Sequence, residues 1–315
     1  MVKTLSLHFK TEEMQPIFRS ASPGFRIAFL FLLLFVGVIV AAILTRLLLL
    51  IPEVGDAGEV VSIYVGSIMQ SVFAIGLPAY LAVALTADRP THYLKINKNR
   101  KLGQKIVFAI LIFCVSYPFA SFLARWNSAM ELPELMRGIE EVIRSMEDTA
   151  METTELLLSG STIGSLALNL FIVAAMAAIS EELFFRGALQ QFLMEKYRNG
   201  HAAVWITALL FSVVHFQFYG FLPRLVLGAL LGYLFLYTRN LWVPVIFHFV
   251  NNATVILLRF FWGETEWFSR VEEMPVTFSY LTAAIVSALI TLLLFRIYLK
   301  KDPKPVTMNN ITDSY

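Results

Sequence analysis

Long apolar stretches parted by short charged clusters run the length of this chain. Ile27–Thr45, Val60–Ala87, Ile106–Ala124 and Leu156–Ser180 carry no charged residue. Asn199–Pro223 holds two histidines, Asn240–Leu258 holds one, and Met274–Phe295 completes the set of long windows. A shorter window, Leu225–Thr238, lies between Arg224 and Arg239. Arginines at the ends of such a helix can extend their charged heads to the interface, so this window also reads as a span. A helix needs about 20 mainly apolar residues to cross a bilayer core of roughly 30 Å. The pattern therefore predicts an all-α fold, a polytopic membrane bundle of about eight transmembrane helices.

One segment follows a different pattern. Between Glu131 and Glu155, Leu135, Ile139, Val142, Ile143 and Met146 recur at helical spacing. The intervening positions carry eight acidic residues against Arg137 and Arg144. This reads either as an amphipathic helix outside the membrane or capping the bundle, or as a solvated connector.

Charge sets the orientation. The N-terminal segment carries Lys3, Lys10, Arg19 and Arg26, and the second loop carries Arg89, Lys95, Lys98, Arg100, Lys101 and Lys105. The tail carries Lys300, Lys301 and Lys304, while Glu53, Asp56 and Glu59 mark the first loop and Glu264, Glu266, Glu272 and Glu273 the last. Loops rich in Lys and Arg stay on the cytoplasmic side, which places both termini there. The expected organisation is a cytoplasmic segment 1–26, a transmembrane bundle 27–299 and a cytoplasmic tail 300–315. About 26 polar-to-mixed residues precede the first apolar run, unlike a cleaved signal peptide.

Composition narrows the function. The chain of 315 residues is 57% hydrophobic and 15% charged, with a net charge of +2, which gives no footing for nucleic acid. A single cysteine, Cys114, excludes an internal disulfide and a multi-cysteine zinc site.

Against that background the stretch "AISEELFFRG", Ala178–Gly187, is unusual, because charges at membrane depth are costly and tend to mark function. Glu182 and Arg186 are four apart and share a helix face, in the favoured order for an ion pair. Glu181 points about 100° away and lacks that partner. His215 lies in "FSVVHF", and His248 and Asn252 share a face of a later span. By a rise of roughly 1.5 Å per residue these groups can reach one level within the bilayer. A carboxylate, two imidazoles and an amide make a plausible hydrolytic set, able to activate water and to donate to an oxyanion. "GALLG", Gly228–Gly232, offers small residues at helical spacing for close packing.

These residues resemble the signature of the CAAX protease and bacteriocin-processing (Abi) family of intramembrane glutamate proteases, the type II CAAX prenyl endopeptidase-like enzymes. The signature EExxxR, FxxxH, HxxxN is met by Glu181, Glu182 and Arg186, by Phe211 and His215, and by His248 and Asn252, in order. The resemblance covers roughly residues 165–258. It implies that Glu181 activates water with His215 as partner, that His248 and Asn252 form the oxyanion hole, and that Glu182 and Arg186 support the site. It requires no cofactor or metal. The implied substrate is a peptide or protein presented at a membrane, with or without a lipid anchor, of CAAX or bacteriocin type; the implied setting is a bacterial plasma membrane, with lipid as the surrounding partner.

Other readings of the same residues remain open. Glu181, His215 and His248 are a possible zinc set for a metal-dependent membrane protease, although there is no HExxH. An immunity or scaffold protein would carry the motifs without turnover. A proton-coupled transporter would use the same buried carboxylate, but neither an inverted repeat nor paired broken helices are visible.

Overall fold

The computed structural model describes residues 16–97, 100–131, 133–272 and 274–301. Residues 1–15, 98–99, 132, 273 and 302–315, among them Lys3, Lys10, Lys98, Glu273 and Lys304, lie outside the described residues. Within them all regular structure is helical. Nine helices matter here: α1 (Pro23–Leu49), α2 (Glu59–Ala84), α3 (Leu102–Ser128), α4 (Arg137–Leu158), α5 (Ile163–Tyr197), α6 (Gly200–Val213), α7 (Phe221–Thr238), α8 (Trp242–Trp262) and α9 (Phe278–Lys301).

Seven of them, all but α4 and α6, are long and apolar enough to cross a membrane, and the chain is an integral membrane protein. The count differs from the expected eight in an instructive place. Asn199–Pro223 does not form one span; α6 stops after 14 residues and gives way to a turn over 214–220. At 1.5 Å per residue α6 is about 21 Å long, roughly 9 Å short of the apolar core. Conversely, the window that looked short, Leu225–Thr238, is part of an 18-residue helix that begins at Phe221. Arg224 does not end it, because its guanidinium folds back to donate to Gln217 Oε1 and Gln217 O, each at 2.6 Å.

Local chemistry sets the helix ends. Ser22 caps α1 with Pro23 at its first turn, and Thr162 and Ser165 form a reciprocal capping box at the start of α5. Thus α5 begins at Ile163 rather than Leu156. Its 35 residues then run without a break to Tyr197, about 52 Å at the standard rise. Two π-helical stretches, Leu170–Met176 and Leu183–Leu189, widen its ladder on either side of the two glutamates.

Two reversals use the same device. Arg198 and Arg239 adopt left-handed backbone (φ 53° and 49°), and each is followed by an asparagine whose side chain accepts from backbone N–H groups of the next helix. The first reversal folds α6 back along α5. Glu181 lies seventeen residues before Arg198 and His215 seventeen after, so an antiparallel hairpin brings them level.

Helix α5 is the central element, packed against α1, α2, α4, α6 and α8; α3 gathers α7, α8 and α9 on the other side. Pro118 interrupts the backbone ladder inside α3. Ser287 of α9 repairs it, accepting from Phe119 N–H at 3.3 Å and donating to Val115 O at 2.5 Å. Freed backbone groups within a bilayer need such partners. The amphipathic reading of 131–155 is the one the structure adopts: α4 packs on α2, α5 and α8, with Ile139, Val142 and Met146 exposed along one side.

Candidate active site

The site begins with an ion pair. Glu182 and Arg186 are fully buried, and Arg186 Nη1 donates to Glu182 Oε1 at 2.7 Å. Burial of both charges is tolerable only with further polar partners. Arg186 Nη2 supplies one by donating to Gly228 O at 2.9 Å. Four residues on, Gln190 repeats the pattern by donating to Gly232 O at 3.0 Å. A β-carbon at Gly228 would meet Ala208 Cα at 3.1 Å, and one at Gly232 would meet Val204 Cγ1 at 2.9 Å. The small residues of "GALLG" therefore do two things. They let α7 approach α6, and they expose carbonyls to the side chains of α5.

His248 joins the two glutamates. Its Nδ1 lies 2.9 Å from Glu182 Oε1, which receives Arg186 as well. Its Nε2 lies 3.9 Å from Glu181 Oε2, within ion-pair reach but too long for a direct hydrogen bond. Glu181 differs from its neighbour: its side chain is 19% exposed, whereas Glu182 is 0% exposed. The hundred-degree offset between adjacent helix positions is thus realised as two environments.

His215 is not within a helix, as its apolar surroundings had suggested, but in the turn just past α6. Its Nδ1 lies 2.7 Å from the carbonyl of Phe211, four residues earlier. A carbonyl can only accept, so Nδ1 carries the hydrogen and Nε2 of the neutral ring is left with its lone pair. This explains the spacing of FxxxH: the imidazole caps an otherwise unpaired carbonyl at the helix end. Glu181 and His215 are close enough to interact electrostatically, as are His215 and His248.

Phe211 sits between these groups. Its ring is 5.0 Å from that of His215, 6.0 Å from that of His248 and 4.9 Å from the Arg186 guanidinium, centre to centre. Sequence reading gave Phe211 only a place in a motif, and the structure makes it the apolar wall that both imidazoles share.

Asn252 faces α5, donating from Nδ2 to Val173 O at 3.3 Å. Val173 lies in the first π-helical stretch, whose widened ladder offers its carbonyl to α8. The adjacent Asn251 donates from Nδ2 to Asn252 Oδ1 at 3.2 Å. Together these bonds fix which end of the Asn252 amide points where. Among the described residues, no three His, Cys, Asp or Glu side chains form a group that could hold a metal ion.

The structure thus brings Arg186, His215 and His248 around Phe211, with Glu182 bonded to Arg186 and His248, Glu181 within ion-pair reach of His248, and Asn252 one turn further along the same face of α8. This is an integral membrane protein with ionisable side chains gathered inside its helical bundle. Comparison with known proteins agrees: residues 163–254 match the family model for Type II CAAX prenyl endopeptidase Rce1-like proteins. Two proteins of Bacillus subtilis are similar. One is "Uncharacterized protein YpbD", 29% identical over 89 residues, which are 27% of this chain and 42% of that protein. The other is "Putative membrane peptidase YdiL", 27% identical over 187 residues, 59% of this chain and 70% of that protein. The chain therefore spans less than half of the first and about two thirds of the second. No solved structure gives a significant match. The family match and the second relative support a membrane protease.

Proposed function

We propose that this protein is an intramembrane endopeptidase in which Glu181 activates the water that attacks a peptide bond. The observation that carries the reading is the contrast between the two glutamates. Oε1 of Glu182 takes both Arg186 and His248 in a side chain closed to solvent, whereas the Glu181 side chain is 19% exposed; the Oε2 atoms of both accept no hydrogen bond among the described residues, so only Glu181 combines an unpartnered oxygen with access. A carboxylate in that position is free to accept a proton from water. His215, with Nε2 available as a base, acts beside it.

His248 takes the second part. Its Nδ1 hydrogen is committed to Glu182, so Nε2 donates to an oxyanion only when the ring is protonated. Asn252 has two amide hydrogens, one on Val173 O and one left to donate, and it supplies the other half of an oxyanion hole. The substrate is a peptide or protein presented at the membrane, and the family match makes a prenylated C-terminal CAAX tail the first candidate.

The test uses the purified protein in lipid nanodiscs and a farnesylated peptide ending in a CAAX sequence, with products read by mass spectrometry. The wild type is expected to cleave it, and Glu181→Gln to lose about 10²- to 10⁴-fold in rate, the range typical of general-base removal. Wild-type cleavage by Glu181→Gln sinks the assignment of the base.

A further inference from the structure

The shortness of α6 creates a structural problem. The turn 214–220 lies at a depth where its neighbours are still helical, so its backbone groups need partners from elsewhere. Those partners come from outside the segment that matches the protease family. Asn127 of α3 donates to Phe218 O at 3.1 Å and accepts from Leu222 N–H at 2.7 Å. The remaining contacts converge on Tyr219 and come from α4. Glu147 Oε2 accepts from Tyr219 N–H at 3.2 Å, and Glu140 Oε1 accepts from its hydroxyl at 3.0 Å. Arg144 bonds the same Glu140 oxygen at 2.7 Å and lies over the Tyr219 ring, 4.5 Å from its centre. Backbone, ring and hydroxyl of one residue are all held by a single amphipathic helix.

Tyr219 is four residues from His215, and the chain between them is tightly constrained. Phe216 takes left-handed backbone at φ 52°, and Ser212 Oγ donates to Phe221 O at 2.7 Å, closing the turn on itself. Movement of Tyr219 is therefore transmitted to the residue whose imidazole must fold back onto Phe211 O. We propose that Tyr219 is a positioning residue for His215, and that Glu140 and Glu147 of α4 hold it in place, so that α4 forms part of the active site without touching substrate. The inference deepens the protease reading and rests on it for its effect on rate, while its structural half stands apart.

The experiment reads both halves. In a Cys114→Ser background, a spin label is placed by Phe216→Cys; Phe216 is 70% exposed and adjacent to His215. Mobility of the label is compared between the parent, Tyr219→Phe, Glu147→Ala and Glu147→Gln, together with thermal unfolding and cleavage of the farnesylated CAAX peptide. Glu147→Ala is expected to mobilise the label and lower kcat about tenfold, with KM and the unfolding midpoint unchanged, since small misplacements of a reacting group are costly. Tyr219→Phe should do the same to a smaller degree, and Glu147→Gln, which keeps an acceptor oxygen, should restore both readouts. An immobile label in Glu147→Ala and Tyr219→Phe overturns the inference, as does a mobile label with unchanged kcat. If the parent cleaves nothing, the protease reading fails, and the label alone decides whether α4 holds the turn.

Discussion

The two sides of the site are held by opposite means. Glu182, Arg186 and His248 sit on continuous helices, wholly or almost wholly buried, and are tied to one another and to Gly228 O of a neighbouring helix. His215 sits in a turn, fixed by one bond to its own helix end and by a clamp that reaches it from α3 and α4. The first arrangement makes chemistry and stability the same thing. The second separates them, because the turn can shift while the bundle stays intact.

The largest expected effect tests the first side. Glu182→Ala leaves Arg186 and His248 without their shared acceptor, and breaking a buried pair in this way costs about 3–5 kcal/mol. Thermal unfolding in detergent should show a large drop, with activity lost alongside. If activity vanished at full stability, the claim that the two are joined on this side would be broken. His215→Ala tests the other side: kcat falls by about 10²-fold or more while the unfolding midpoint barely moves. Asn252→Ala is intermediate in character. It should cost about 10²- to 10³-fold in kcat with little change in KM, the mark of a group that acts in the transition state. Gly228→Ala sharpens the stability side without touching a reacting group. Its added carbon meets Ala208 and Phe211, and overpacking of this kind costs about 1–3 kcal/mol by thermal unfolding. Smallest is Asn251→Ala, which removes one neutral hydrogen bond to Asn252; a loss of about 1 kcal/mol corresponds to a severalfold fall in kcat.

How much of this was legible in the sequence depends on the range of the interaction. The Glu182–Arg186 pair follows from helical spacing alone, and so does the offset of Glu181. The all-helical fold follows from the apolar windows. The end of α6 was not visible, because an average over "FSVVHFQFYGF" stays apolar while the backbone turns at Phe216. Arg224 misled in the reverse direction: a charge suggested the limit of a span, but its head folds back onto Gln217 within the turn. Two Arg-Asn pairs, 198–199 and 239–240, were available as signals for the hairpins that align the site, since asparagine caps the start of the helix that follows. Contacts such as Arg186 to Gly228 or Glu147 to Tyr219 join residues 42 and 72 positions apart. No local pattern encodes them; they follow from how the helices pack.

The repair of α3 by Ser287 has a consequence for assembly in the cell. Phe119 and Ser287 are 168 residues apart, so during synthesis the third helix enters the membrane long before its missing partner exists. Until the ninth helix arrives, that break must be wetted or shielded by something else. The break in α3 is therefore closed only by a much later part of the chain, and a chain cut before Phe278 should leave Phe119 N–H and Val115 O open to solvent.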